Sequence, residues 1–391
     1  MKITDIRATW LHVPIARERQ HVSDYGPTAS IDTVLVEVET DAGVTGLGEA
    51  RATLSVNGNC AAVCAAIENE FRPLLIGQDP RDISRLWEVM YNATRADFAL
   101  ARGHAFPALG RRGVSVQALS GIDIALWDIL GKSLGVPVSR LLGGSRHKKM
   151  PCYASGGWAG ADQIGQQLKA FIDQGGYRAV KMRVGSADGS VGQSVERVKA
   201  ARAALGENLD IMCDAHGTWT VAEAKRFCRA VADCDIAWLE EPVAPDDKLG
   251  MAEVRAATDI AIAAGEGEFT RFDFRDLIQA RAVDIVQPDP AITGGITETM
   301  RIEALAGAFQ LRTAVHLWGS AVAFAAGLNC TAAAASGFTL EYSAGGANPL
   351  LNDLAQEKFV VADGFVDIPE RPGLGVTLDQ AVVQHYRKSW R

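Results

Sequence analysis

The stretch AVKMRVG (residues 179–185) is short, mostly apolar and closed by a glycine, which is the texture of a buried strand. Lys181 and Arg183 lie two residues apart on it. Side chains alternate along a strand, so both point to the same side. Two positive charges on one face of a buried strand require an anion.

The same texture recurs in MPCYAS (150–155), LDIMCDA (209–215), IAWLEEP (236–242), IAIAAGE (260–266), AVDIVQPD (282–289), RTAVHLW (312–318) and FTLEYS (338–343). Amphipathic, helix-like segments separate most of them. Eight repeated βα units of similar length predict an α/β fold with a parallel sheet closed into a barrel. A doubly wound sheet would need a Gly-rich phosphate turn after its first strand, and ASGGWAGAD (154–162) does not fit GxGxxG.

Toward the N-terminus the texture differs. TDIRATWLHV (4–13) and DTVLVEVETDAGVTGLGEA (32–50) read as strands, the second as a hairpin around a DAG turn. SVQALSGIDIALWDILGKSLG (115–135) reads as a helix with Gly135 as its stop. This predicts a separate α+β module at 1–130, a barrel at 131–354 and a C-terminal segment at 355–391 that returns to the first module.

Bulk properties narrow the function. The chain has 391 residues and a net charge of −8, which argues against coating nucleic acid or an anionic membrane. The start, MKITDIRATWLHV, lacks the apolar core of a secretory leader, and the apolar stretch 321–335 is too short and interrupted to span a bilayer. Seven scattered cysteines without a CxxC pair fit a reducing cytoplasm.

From the second strand onward each candidate ends in an ionisable residue: Lys181, Asp214, Glu240, Glu266, Asp289, His316 and Glu341. Their spacings of 33, 26, 26, 23, 27 and 25 residues are each about one βα unit. Such residues ring one mouth of a barrel, and the C-terminal mouth is where barrel enzymes keep their chemistry. Asp214, Glu240 and Glu266 are three hard oxygen ligands on consecutive strands, which suits Mg²⁺ better than Zn²⁺. Glu240 is preferred over Glu241 because its interval matches its neighbours; Glu268 shares the face of Glu266 and is a candidate substrate contact. Asp289 and His316 sit on adjacent strands. A carboxylate on one imidazole nitrogen fixes the tautomer and leaves the other as a general base.

These residues, with SGIDIALWDILGKSLGVPVSRLLGG (120–144) and the LEEP, VQPD and VHLWG contexts, resemble the enolase superfamily in its mandelate racemase subgroup. The resemblance implies a (β/α)7β modified TIM barrel with an α+β cap, one Mg²⁺, abstraction of a proton α to a carboxylate, and a homo-oligomer. It casts Lys181 on the substrate carboxylate and a protonated Glu341 as hydrogen-bond donor to the other carboxylate oxygen. The family's racemase pattern carries KxK where this strand has Lys181-x-Arg183. Arginine stays protonated, so the site has one good base, His316, and a one-base elimination is favoured over racemisation. His216, in CDAHGTW, matches the DxH arrangement of acid-sugar dehydratases, where that histidine is the acid. The expected activity is therefore dehydration of a sugar acid to a 2-keto-3-deoxy acid. Epimerisation or lactone cycloisomerisation on the same scaffold is the alternative, and a non-catalytic carboxylate-binding barrel a remote one. The cap stretches 17–30 and 95–112 are expected to set substrate choice, with Arg95, Arg102, His104, Arg111 and Arg112 as candidates, and Trp158, Trp219 and Trp318 as pocket walls.

Overall fold

The computed structural model describes residues 1–20, 22–23, 26–52, 59–93, 98, 101–103, 110–344 and 348–391. Parts of the expected specificity stretches, including Arg95 and His104, and residues 345–347 of the Gly-rich stretch AGGANP (344–349) lie outside them.

The N-terminal module is an antiparallel sheet. Its long strands Ile3–Pro14, Ser30–Thr40 and Thr45–Ala50 pair in that order, and Arg387–Lys388 from the C-terminus adds to the free edge of the first. The helix Val114–Leu134 lies across this sheet, stopped by Gly135 in the left-handed conformation (φ 69°). Its approach is very close: a Cβ on Gly48 would stand 1.8 Å from the Gly121 carbonyl oxygen, so both surfaces need glycine there. This helix is long and apolar enough to cross a membrane, but most of it is buried within the cap.

The second sheet is parallel and curled. Its eight strands are Lys149–Ser155, Ala179–Arg183, Asp210–Asp214, Ile236–Glu240, Ile262–Ala264, Ile285–Val286, Arg312–Thr313 and Leu340–Ser343, with the last paired to the first. An isolated bridge, Thr313 to Gly337, joins the seventh strand to the residues just before the eighth and closes the ring. Tyr153, Met212, Trp238, Ala263, Ile285 and Ala314 fill the interior, while a larger apolar layer packs the strands against the helices. The architecture is a modified TIM barrel with an α+β cap. The C-terminal segment is shared: Phe365–Asp367 runs antiparallel to the first barrel strand, and Arg387–Lys388 joins the cap.

Buried carboxylates of the cap hold it on the barrel. Glu49 accepts from the backbone N–H of Ser320 and Ala323 (3.0 and 2.9 Å), capping the helix Ala321–Ala333. Asp123 accepts from Thr297 N and Oγ1 (2.9 and 2.6 Å) and caps the helix Gly295–Ala308. Each carboxylate satisfies donors that a helix start leaves unpaired.

Candidate active site and metal centre

The register of the second, third and fourth barrel strands aligns their ends: Arg183 pairs with Asp214, and Asp214 with Glu240. Glu266, Asp289 and His316 lie two or three residues beyond their ladders. The sequence reading placed them at the strand ends themselves. Between the sixth and seventh strands the ladder stops early because Pro288 has no N–H to give, although His316 N still donates to the Pro288 carbonyl (3.3 Å).

The structure brings Asp214, Glu240 and Glu266 together, with one carboxylate oxygen from each within 4.8 Å of the others. Lys181 is buried among them, its Nζ 2.7 Å from Glu240, 2.9 Å from Glu341 and 3.8 Å from Asp214. Burial disfavours its charge, but Glu240 and Glu341 outweigh that and hold the ammonium well above its ordinary pKa. Arg183 Nη1 lies 3.0 Å from Asp214 Oδ2. Glu240 also accepts from Gln287 Nε2 (2.7 Å) and Trp238 Nε1 (3.2 Å).

His316 Nδ1 lies 2.9 Å from Asp289 Oδ2, and its Nε2 is 3.3 Å from Glu266 Oε2. His216 Nε2 approaches the other oxygen of Glu266 at 3.6 Å. His216 has a left-handed backbone (φ 51°), and its N–H donates to Asp214 Oδ1 at 2.9 Å. The two imidazoles thus reach opposite oxygens of one carboxylate. Burial pushes the Glu266 pKa up, but His316 and His216 hold it well below the usual range. Burial also opposes charge on His316, yet Glu266, Glu341 and Asp289 raise its pKa to about 9.

Glu341 accepts from Leu317 N (3.0 Å), Trp318 Nε1 (3.1 Å) and Lys181. Against the effect of burial, Lys181 and His316 keep it ionised. In this arrangement it is an acceptor, not the neutral donor that the sequence reading invoked.

Most other candidates fall outside the cluster; Trp318, through Glu341, does not. Glu268 binds Lys248 (2.9 Å). Arg111 pairs with Glu70 and Arg112 with Asp273, and Arg102 lies over the Phe98 ring. Trp219 packs on Phe227, whereas Trp158 and Trp318 meet edge to face, 6.0 Å apart. Two contacts escaped the sequence reading. Gln287 lies two residues before Asp289, and strand alternation would have found it. Arg51 of the cap reaches Asp289 across the domain junction, and no local pattern announces that.

Residues 163–382 match the family described as enolase C-terminal domain-like, and residues 6–143 match the mandelate racemase / muconate lactonizing enzyme N-terminal domain. The chain is 35% identical to a D-galactonate dehydratase of Ralstonia pickettii, with 92% of each chain covered. It is 34% identical to a D-galactarolactone cycloisomerase of Agrobacterium fabrum, over 90% of this chain and 91% of that one. A solved racemase from Streptomyces coelicolor with bound magnesium superposes with a TM-score of 0.86 at 30% identity, covering 99% of this chain and 100% of that one. The chain belongs to the mandelate racemase and muconate lactonizing enzyme family of the enolase superfamily.

Proposed function

We propose that this protein is a Mg²⁺-dependent dehydratase of a sugar acid. The carrying observation is the pair of imidazoles on either side of Glu266: one is braced by Asp289, and an arginine, not a second lysine, stands on the Lys181 strand. The three crowded carboxylates of Asp214, Glu240 and Glu266 form an all-oxygen donor set that suits Mg²⁺. Bound there, the cation would supply positive charge to offset the second negative charge that develops on the substrate carboxylate.

The chain's own residues do the rest. His316, in its neutral form with Nδ1 donating to Asp289, presents Nε2 to take the proton from Cα. Lys181 stabilises the enediolate where its charge appears. Arg183 binds or screens charge beside Asp214. His216 gives its proton to the β-hydroxyl as the C–O bond breaks, releasing water, and the enol becomes a 2-keto-3-deoxy acid. The cap at 1–130, the barrel at 131–354 and the returning segment at 355–391 act as one enzyme in this reading. A cytoplasmic location is supported by seven cysteines that are all free and buried, and a homo-oligomer by the family resemblance.

The test is a screen of sugar acids with Mg²⁺, read as 2-keto acid formed and as deuterium taken up at Cα from D₂O. His316→Asn is expected to lose both signals. His216→Asn is expected to lose dehydration by about 10²–10⁴-fold and to keep the exchange. Full turnover in His316→Asn would sink the assignment. Lactone opening without loss of water would select the cycloisomerase reading, which the similarity to such an enzyme favours.

A further inference from the structure

The barrel has a second opening, at the N-terminal ends of its strands, opposite the mouth that carries Lys181 and the triad. A cavity of about 350 Å³ enters it, a volume at the small end of ligand sites. Met212, Trp238, Ile285 and Phe338 form its apolar floor, with Phe338 edge to face on the Trp238 indole at 6.2 Å. The interior of an eight-stranded barrel is just wide enough to be filled by side chains or to hold one small ligand.

Two charges face into this cavity from opposite walls. Arg312 opens the seventh strand, in register with Ile285 and two residues before Ala314. Both of those are interior residues, so alternation turns Arg312 inward as well. Its guanidinium lies over the Phe338 ring, 3.3 Å from the centroid. Asp210 opens the third strand, in register with Ala179 and two residues before the interior Met212, and the same alternation turns it inward. The third and seventh strands stand opposite each other in the ring.

Neither charge is answered within the chain. Among the described residues, Arg312 and Asp210 form no ion pair with each other or with any other side chain. Burial lowers the Arg312 pKa, and no carboxylate raises it. The carboxylate next to it in sequence position on the sixth strand, Asp284, precedes the inward Ile285 and so faces the helices, where Arg255 holds it at 2.6 Å. Arg178 and Asp363 complete the charged lining from exposed positions at the rim and balance each other in sign. A free cation and a free anion across an apolar floor suit a ligand with both charges and an apolar body. An anion alone, or a cation alone, would leave one of them unanswered. The floor also backs onto the metal triad, because Trp238 Nε1 donates to Glu240 Oε2 (3.2 Å).

We propose that the N-terminal opening of the barrel is a binding site for a free α-amino acid with an apolar side chain. Arg312 takes the carboxylate, Asp210 takes the ammonium, and the side chain lies on Trp238 and Phe338. The site is separate from the triad, and nothing in it depends on the dehydratase reading.

Isothermal titration in EDTA buffer, where no metal-bound carboxylate competes, tests this with L-phenylalanine and L-leucine. Each is compared with two analogues that lack one charge: N-acetyl-L-phenylalanine and phenethylamine for the first, N-acetyl-L-leucine and 3-methylbutylamine for the second. At least one amino acid is expected to bind about tenfold or more tightly than either of its analogues. Arg312→Gln should bring it to within about twofold of its amine, and Asp210→Asn to within about twofold of its N-acetyl acid. Both side chains are exposed, so the variants should keep the fold, which circular dichroism checks. No binding of either amino acid, analogues that bind as tightly as their parents, or an advantage that survives in either variant would overturn the proposal.

Discussion

Arg51 of the cap reaches Asp289 of the barrel, with Nη1 3.3 Å from Oδ2, the same oxygen that holds His316 Nδ1 at 2.9 Å. The backbone repeats the link: Arg51 N donates to the Ala291 carbonyl (3.1 Å), and Ala291 N donates to Asp289 Oδ1 (2.8 Å). Docking of the cap and orientation of the His316 partner are therefore one event.

Arg51→Met should loosen that carboxylate without touching substrate. A hydrogen bond to a charged group contributes about 1.5–3 kcal/mol, and this one is long, so about a tenfold loss in kcat is expected with little change in KM. Arg51→Lys should recover part of it. Steady-state kinetics on the best acid of the screen decides; an unchanged kcat, or a loss that only tracks the melting temperature, removes Arg51 from the positioning of the dyad.

The barrel and most of the candidate site were legible because both follow from periodicity. Eight apolar runs one βα unit apart define a ring, and the polar residue closing each run defines its mouth, so Asp214 and Glu240 fell where the spacing put them, while Lys181 lies two residues before its strand end, opposite Met212. Periodicity says nothing of contacts made across domains. Arg51 on Asp289 and Glu49 on Ser320 join residues more than two hundred positions apart. For a related reason, composition shows the charge of the arginines of 95–112 but not that Glu70 and Asp273 engage two of them. The short ladder between the sixth and seventh strands was hidden as well, since VQPD reads as strand until the missing proline N–H is counted.

Crowding at the triad predicts a thermal response to cations. Carboxylate oxygens of Asp214, Glu240 and Glu266 within 4.8 Å of one another repel unless a cation joins them. Mg²⁺ should raise the melting temperature, by an amount equivalent to about 2.7 kcal/mol at a hundredfold excess over Kd, and a chelator should reverse it. In Glu266→Gln the response should shrink or vanish. A rise of the same size in that variant would place the cation elsewhere.

The cap helix should tolerate no added atom at Gly48. A Cβ there would collide with the Gly121 carbonyl at 1.8 Å and crowd Ala125 N at 3.0 Å, both of them backbone. Neither can move without shifting the helix Val114–Leu134 off the sheet. Overpacking of this kind costs about 1–3 kcal/mol and sometimes more, so Gly48→Ala should unfold at clearly lower denaturant concentration. Gly43→Ala is a control for helix contact, because nothing lies within 4 Å of its Cβ position and only its turn conformation (φ 72°) is strained. Equal losses in the two variants would show that the helix contact is not what Gly48 serves.

Asp123 should leave a mark on the pH dependence of stability. It is fully buried, and burial pushes its carboxyl up to about 7, against the hydrogen bonds from Thr297. The unfolded chain releases this proton near the ordinary aspartate value of about 3.9, while the folded chain keeps it. Stability from this group is therefore fully present below pH 4, declines as pH rises and is gone once pH passes 7. Asp123→Asn removes the titration and keeps an acceptor for Thr297. The stability of the variant relative to the native chain should grow between pH 4 and 7, by at most roughly 4 kcal/mol, and then level off. Urea unfolding across that range measures it. A difference that stays flat with pH would mean that Asp123 is ionised throughout and that the N-terminus of the helix Gly295–Ala308 stabilises its charge enough to offset burial.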